Sequence, residues 1–214
     1  EGLRGLYLPM TFVLTNREKA LLKNFVEDGG TLIMEPGAGM YVENGEMDME
    51  YAFLHEIFGL THAAIEALVP GKTVCQAADG GSFACTYYRQ IFAESAEDAE
   101  VIAKFEDGVP AALKREVGKG CAVFMCGYVG AMYSEHRDES TKSYITRFFD
   151  ANGYEAIESM ENGGLLVRLL RDDDTHIVVA VNHSDADKTM HIKLRGAEPV
   201  SISVPKKDGK IALV

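Results

Sequence analysis

Residues 24–39 read NFVEDGGTLIMEPGAG, with four glycines placed before and after a short apolar run. Their order relative to helix and strand decides the fold. A phosphate-binding glycine loop follows a strand and opens a helix, so that the helix N-terminus receives the anion. Gly29 and Gly30 have the reverse setting. They follow TNREKALLKNFVED, a helix in which Thr15 caps the N-terminus and Glu18 completes a capping box. Leu21, Leu22, Phe25 and Val26 recur on one face at helical spacing. Gly29 suits the left-handed residue that ends such a helix. Gly37 and Gly39 do follow a strand, TLIM, but PGAGMYVENGEM leads to an Asn44-Gly45 hairpin turn and lacks a P-loop lysine. These glycines turn the chain; no nucleotide cofactor is expected.

Outward from this stretch, GLYLPMTFV at 5–13 reads as a buried strand leading into a loop. Strand, helix and TLIM then make a right-handed crossover in a parallel sheet. A helix is expected at 50–58, with Tyr51, Leu54 and Phe58 inward and Gly59 as its stop. HAAIEALV, SFACTYYRQIFA, EVIAKF, PAALKREV and CAVFMCG read as strands. REVGKGCAVF forms a hairpin through Gly118-Lys119-Gly120. A last helix spans about 135–151, carries Tyr144, Ile145, Phe148 and Phe149, and ends at Gly153. Beyond it, alternating apolar and polar residues with turn clusters RDDDT, HSDAD and KKDG define a small antiparallel β domain. The expected domains are 1–153 and 154–214.

The 214 residues are 47% hydrophobic and 25% charged, as in ordinary globular domains. No apolar run reaches the roughly 18–20 residues of a membrane span, and no signal peptide is apparent. Residue 1 is Glu and a strand begins almost at once, which suggests a piece of a longer polypeptide. A formal charge of −12 argues against nucleic acid, whose binding needs clustered Lys and Arg. Cys75, Cys85, Cys121 and Cys126 form no C-x-x-C pair, which speaks against structural zinc. They read as buried thiols in a reducing, cytoplasmic compartment.

Few residues offer chemistry. Cys126, in VFMCGYVG, is the nearest approach to a nucleophile elbow, but no helix N-terminus is evident to lower its pKa. His176 and His183 are candidate bases placed in the β domain, with no evident reason to reach it. His55 and His62 lack the i, i+4 spacing of a helical metal pair, and no metal is expected. Glu35, after a strand and before Pro36, is the acid best placed to face a cleft; the alternative is a solvated loop acid. Tyr87 and Tyr88 form a candidate sugar platform. The NHS sequon at 182–184 falls in a β turn of an intracellular protein and is set aside.

In this order, three stretches carry a resemblance. LYLPMTFVLTNREKALLKNFVEDGGTLIMEPGAGMYVENGEM, VIAKFEDGVPAALKREVGKGCAVFMCG and HIVVAVNHSDADKTMHI resemble the C-terminal half of family 42 glycoside hydrolases, the β-galactosidase type. The first two are similar to its trimerisation domain, the third to its small C-terminal β domain. The resemblance implies a flavodoxin-like sheet, akin to class I glutamine amidotransferases without their catalytic cysteine. It also implies a homotrimer and an upstream (β/α)8 barrel whose two glutamates perform catalysis. No catalytic residue carries over to this chain. The sheet is expected to be N-terminally incomplete, because the family has a further strand–helix unit before LYLP. The expected function is therefore non-catalytic assembly; an amidotransferase-like hydrolase acting through Cys126 or Glu35, and a sugar-binding accessory domain, are the alternatives.

Overall fold

The computed structural model describes residues 3–48, 51–69, 71–150, 157–172, 175–194 and 197–213. The chain divides into two compact units, Glu1–Asn152 and Gly153–Val214.

In the first unit, β1 (Gly5–Leu8) is followed by α1 (Asn16–Glu27) and β2 (Thr31–Met34). The capping box forms as the sequence indicates. Glu18 N–H donates to Thr15 Oγ1 at 3.1 Å, and Thr15 N–H donates to Glu18 Oε2 at 2.8 Å. Leu22 and Val26 are buried, but Leu21 points outward, so the inner face is narrower than its apolar spacing suggests. Gly29 closes the helix at φ +117°. β1 and β2 pair in parallel, Gly5 opposite Thr31 through Leu8 opposite Met34.

The Asn44-Gly45 turn forms, with Val42 N–H donating to Glu46 O at 2.9 Å, but its arms meet only through the single bridge Tyr41–Met47. Next come α2 (Ala52–Phe58), stopped by Gly59 at φ +67°, and β3 (Thr61–Ala67). Then follow β4 (Thr73–Ala77), β5 (Ser82–Glu94), β6 (Glu100–Lys104), β7 (Pro110–Val117), β8 (Gly120–Met125) and the two-residue β9 (Gly127–Tyr128). β4 has no counterpart in the sequence reading. The single helix expected at 135–151 is instead two, α3 (Val129–His136) and α4 (Glu139–Asp150), broken at Arg137 in the left-handed conformation. The proposed stop at Gly153 lies outside the described residues.

The sheet runs β1-β2-β8-β7-β6-β4-β5-β3, with β9 paired to β5. β1, β2 and β8 are parallel and the remaining pairings are antiparallel, so the unit is mixed α/β with β1 at an edge. Val26, Leu32, Ile33, Leu54, Ile57, Phe58, Phe124 and Tyr144 belong to its core, which joins helices to sheet.

The second unit is a small β sandwich. One sheet orders β10 (Ile157–Glu161), β13 (Lys188–Leu194) and β14 (Val200–Val204); the other orders β11 (Leu166–Asp172), β12 (Thr175–Val181) and β15 (Gly209–Leu213). Both sheets are antiparallel. Val178, Ala180, Met190, Ile192, Ile202 and Val204 fill the space between them.

Candidate functional site

Ligands of parallel sheets bind at the carboxyl ends of the strands. In this chain that edge is formed by the ends of β1, β2 and β8, and Glu35 stands there directly after β2. It is neither solvated nor open to a cleft: its exposure is 0%. Its Oε1 accepts three hydrogen bonds, from Tyr7 Oη at 2.5 Å, Val129 N–H at 2.8 Å and Gly130 N–H at 2.6 Å. The two amides open α3, so the carboxyl group occupies the positive end of that helix. A Cβ at Gly130 would lie 2.6 Å from the Tyr7 hydroxyl, so only glycine leaves room for this contact. Oε2 is buried without a partner. Burial raises the Glu35 pKa and outweighs the opposing pull of the Tyr7 hydroxyl and the Gly130, Val129 and Met10 backbone. The Tyr7 phenol is raised too, by its own burial and then by the charge of Glu35.

The same arrangement closes the route to a cysteine nucleophile. A helix does begin three residues after Cys126, contrary to the sequence reading, but its first amides serve Glu35. Cys126 is fully buried, and desolvation followed by the neighbouring Cys85 drives its thiol pKa upward, away from the reactive thiolate. Burial likewise pushes Cys121 up to about 11. Cys75 and Cys85 lie side by side, Sγ to Sγ 3.8 Å, as buried thiols.

Around the glycine loop every amide is committed. Gly37 N–H donates to Gln90 Oε1 at 2.9 Å, Ala38 N–H to Glu35 O at 3.3 Å, and Gly39 N–H to Thr11 O at 2.9 Å. Gly37 and Gly39 adopt φ +78° and +63°, and a Cβ at Gly37 would strike the Phe12 ring at 2.6 Å. No amide points outward to cradle a phosphate; the loop is a packed turn.

His62 stacks on Tyr51 at 4.1 Å, meets Gln90 Nε2 at 3.1 Å, and has its pKa lowered by burial. His55 lies in the last turn of α2. Among the described residues no group of three His, Cys, Asp or Glu could hold a metal ion. Tyr87 donates to Glu135, while Tyr88 sits edge-on to Tyr128 at 6.3 Å, so each ring is engaged by a different neighbour. In the second unit, Asn182 of the NHS sequon is buried and its amide donates to Ala186 O, Val204 O and Pro205 O at 2.8, 3.1 and 3.0 Å. The candidate glycosylation nitrogen is thereby a structural tie.

A cleft of about 440 Å³ opens at the opposite, amino ends of β2 and β8, lined by Thr31, Lys114, Lys119, Cys121 and Arg147 among others. Two ion pairs hold it, Arg147 with Asp79 at 2.5 Å and Lys114 with Glu116 at 2.5 Å. Tyr7, Gly130 and Gln90 were not singled out by sequence reasoning, because their partners lie far away along the chain.

The carboxyl edge of this mixed α/β sheet is thus packed shut, with Glu35 Oε2 buried and unpartnered. The chain belongs to the β-galactosidase trimerisation domain family, whose model matches residues 3–147. It is 26% identical over 195 residues to a β-galactosidase of Geobacillus kaustophilus, covering 86% of this chain and 27% of that protein. A β-galactosidase of Planococcus sp. is 25% identical over 195 residues, with 86% and 28% covered. Among solved structures, a β-galactosidase from Bacillus circulans sp. alkalophilus shares the fold with TM-score 0.74 at 18% identity, covering 98% of this chain and 32% of that one. The β-galactosidase of Halorubrum lacusprofundi gives TM-score 0.64 at 15% identity, over 97% and 30%. The chain thus spans about a quarter to a third of the length of these relatives. No helix among the described residues is long and apolar enough to cross a membrane.

Proposed function

We propose that this chain is the non-catalytic assembly region of a glycoside hydrolase of the β-galactosidase type, and that its first unit brings three copies together. The family match over residues 3–147 carries this reading. The closed carboxyl edge supports it: Glu35 fills the helix N-terminus that a nucleophile or ligand would use, and Cys126 is sealed. On this reading the sheet is a flavodoxin-like, amidotransferase-related one whose β1 edge awaits further strands, and the domains run 1–153 and 154–214. The catalytic groups belong to a (β/α)8 barrel of the parent polypeptide, and the parent acts in the cytoplasm, where four free thiols persist. Light scattering after size exclusion tests it. The expected mass is three times the 23.4 kDa of one chain; a monomer at every concentration would contradict the assembly role.

A further inference from the structure

Gln90, on β5, is buried, and the direction of its hydrogen bonds fixes both ends of its side-chain amide. At one end the Gly37 N–H donates to Oε1 at 2.9 Å, so the oxygen must face the glycine loop. Nε2 is then a donor, and the atom it meets, at 3.1 Å, is His62 Nδ1 on β3. Nδ1 has to accept, which leaves the proton of a neutral imidazole on Nε2. Two donations thus run one way, from Gly37 to Gln90 and from Gln90 to His62. The His62 ring is half-buried and stacked on Tyr51 at 4.1 Å.

A proton taken from solvent onto Nδ1 reverses this direction. The imidazolium N–H and the Gln90 NH2 would then point donors at each other. Turning the amide over presents Oε1 to the charged ring, and a charge-assisted bond is stronger than a neutral one. The same turn aims NH2 at the Gly37 N–H, which loses its acceptor inside a buried loop. One amide cannot serve both a protonated His62 and Gly37. The surroundings offer the charged ring no other acceptor. Tyr51 faces it from the entry to α2, its phenol raised by burial and then by Tyr41 and Asp48, and Asp48 pairs with Lys19 at 3.7 Å. On β5 the register sets Phe92 beside His62, while Arg89 is held by Glu66 and Asp107. His55 and Glu56 of α2 and Glu94 of β5 line a cleft that His62 does not line. Glu35, in the glycine loop itself, is committed to Tyr7, Val129 and Gly130. Burial accordingly lowers the His62 pKa.

We propose that Gln90 is a proton-operated latch: protonation of His62 turns its amide away from Gly37 and loosens the glycine loop at the carboxyl edge of the sheet. Nuclear magnetic resonance of the full chain reads this as pH is lowered from about 7.5 to about 4.5, through the ordinary histidine range. At the start the His62 ring nitrogens should report the Nε2–H tautomer. As the ring titrates, hydrogen-exchange protection of the Gly37 amide, corrected for the intrinsic rate at each pH, should fall about tenfold or more. In His62→Phe, which keeps a ring on Tyr51 but does not titrate, protection should change by less than about twofold over the same range. Two of these readings need no variant. A proton on Nδ1 at neutral pH overturns the proposal, as does a ring that stays neutral throughout or one that titrates while Gly37 stays protected. An equal fall in His62→Phe assigns the loosening to another group, such as Glu35, and overturns it too.

Discussion

At the carboxyl edge of β1, β2 and β8 a carboxyl group is sealed from water, whereas on the outer face of the β11–β12–β15 sheet leucines and isoleucines stand in it. Globular proteins generally do the reverse, and each inversion has a physical reason. Glu35 is buried because three donors converge on one of its oxygens, two of them helix amides that would otherwise be left unpaired. The apolar face is exposed because the sandwich core is already filled from the other side of the same strands. The polar region therefore works inward, holding strand ends to a helix, while the outer apolar face adds nothing to the core behind it. Altering the first should damage the fold; altering the second should leave the fold intact.

The largest expected effect breaks the inward region. Glu35→Ala strands the Tyr7 hydroxyl and the Val129 and Gly130 amides in a buried site, at a cost of about 3 kcal/mol or more in denaturant unfolding. A loss below about 1 kcal/mol, typical of an exposed loop acid, would show that the network contributes little. A smaller effect concerns protons. Because burial raises the folded pKa of Glu35 above its unfolded value, its favourable contribution is complete below the unfolded pKa, around 4.3. It is lost as pH rises through the raised folded value. Glu35→Gln does not titrate, so the stability of the unaltered chain relative to this variant should fall as pH climbs from the carboxylate range toward neutrality. A gap that widens with pH would reverse the sign and imply a depressed pKa. The smallest effect sharpens the outward side: Ile211→Asp, on an exposed position, should shift unfolding by no more than about 0.5 kcal/mol.

Much of this fold was legible from local chemistry. The Thr15–Glu18 capping box, the Gly29 and Gly59 stops and the Asn44-Gly45 turn are set by neighbours a few residues apart, and all of them form. What local chemistry does not specify depends on distant partners. α3 begins at Val129 without a side-chain cap from its own segment, because its cap comes from Glu35, 94 residues earlier. VGAMYSEH consequently offers no start signal of its own. β4 is five residues long and buries only the small Cys75 and Ala77, too faint a pattern to stand out. Leu21 illustrates the converse, an apolar residue at the right spacing that still faces solvent. The outward apolar face did leave a trace: LLVRLL and IVVAV are apolar at both parities, as in strands covered on both sides.

Hydroxyl-radical footprinting of the full chain tests the inward–outward contrast most directly. Leu170, Ile211 and Leu213 should label strongly, while Leu32, Met34 and Phe124 in the core of the first unit stay protected. Comparable labelling of the two groups would contradict the account.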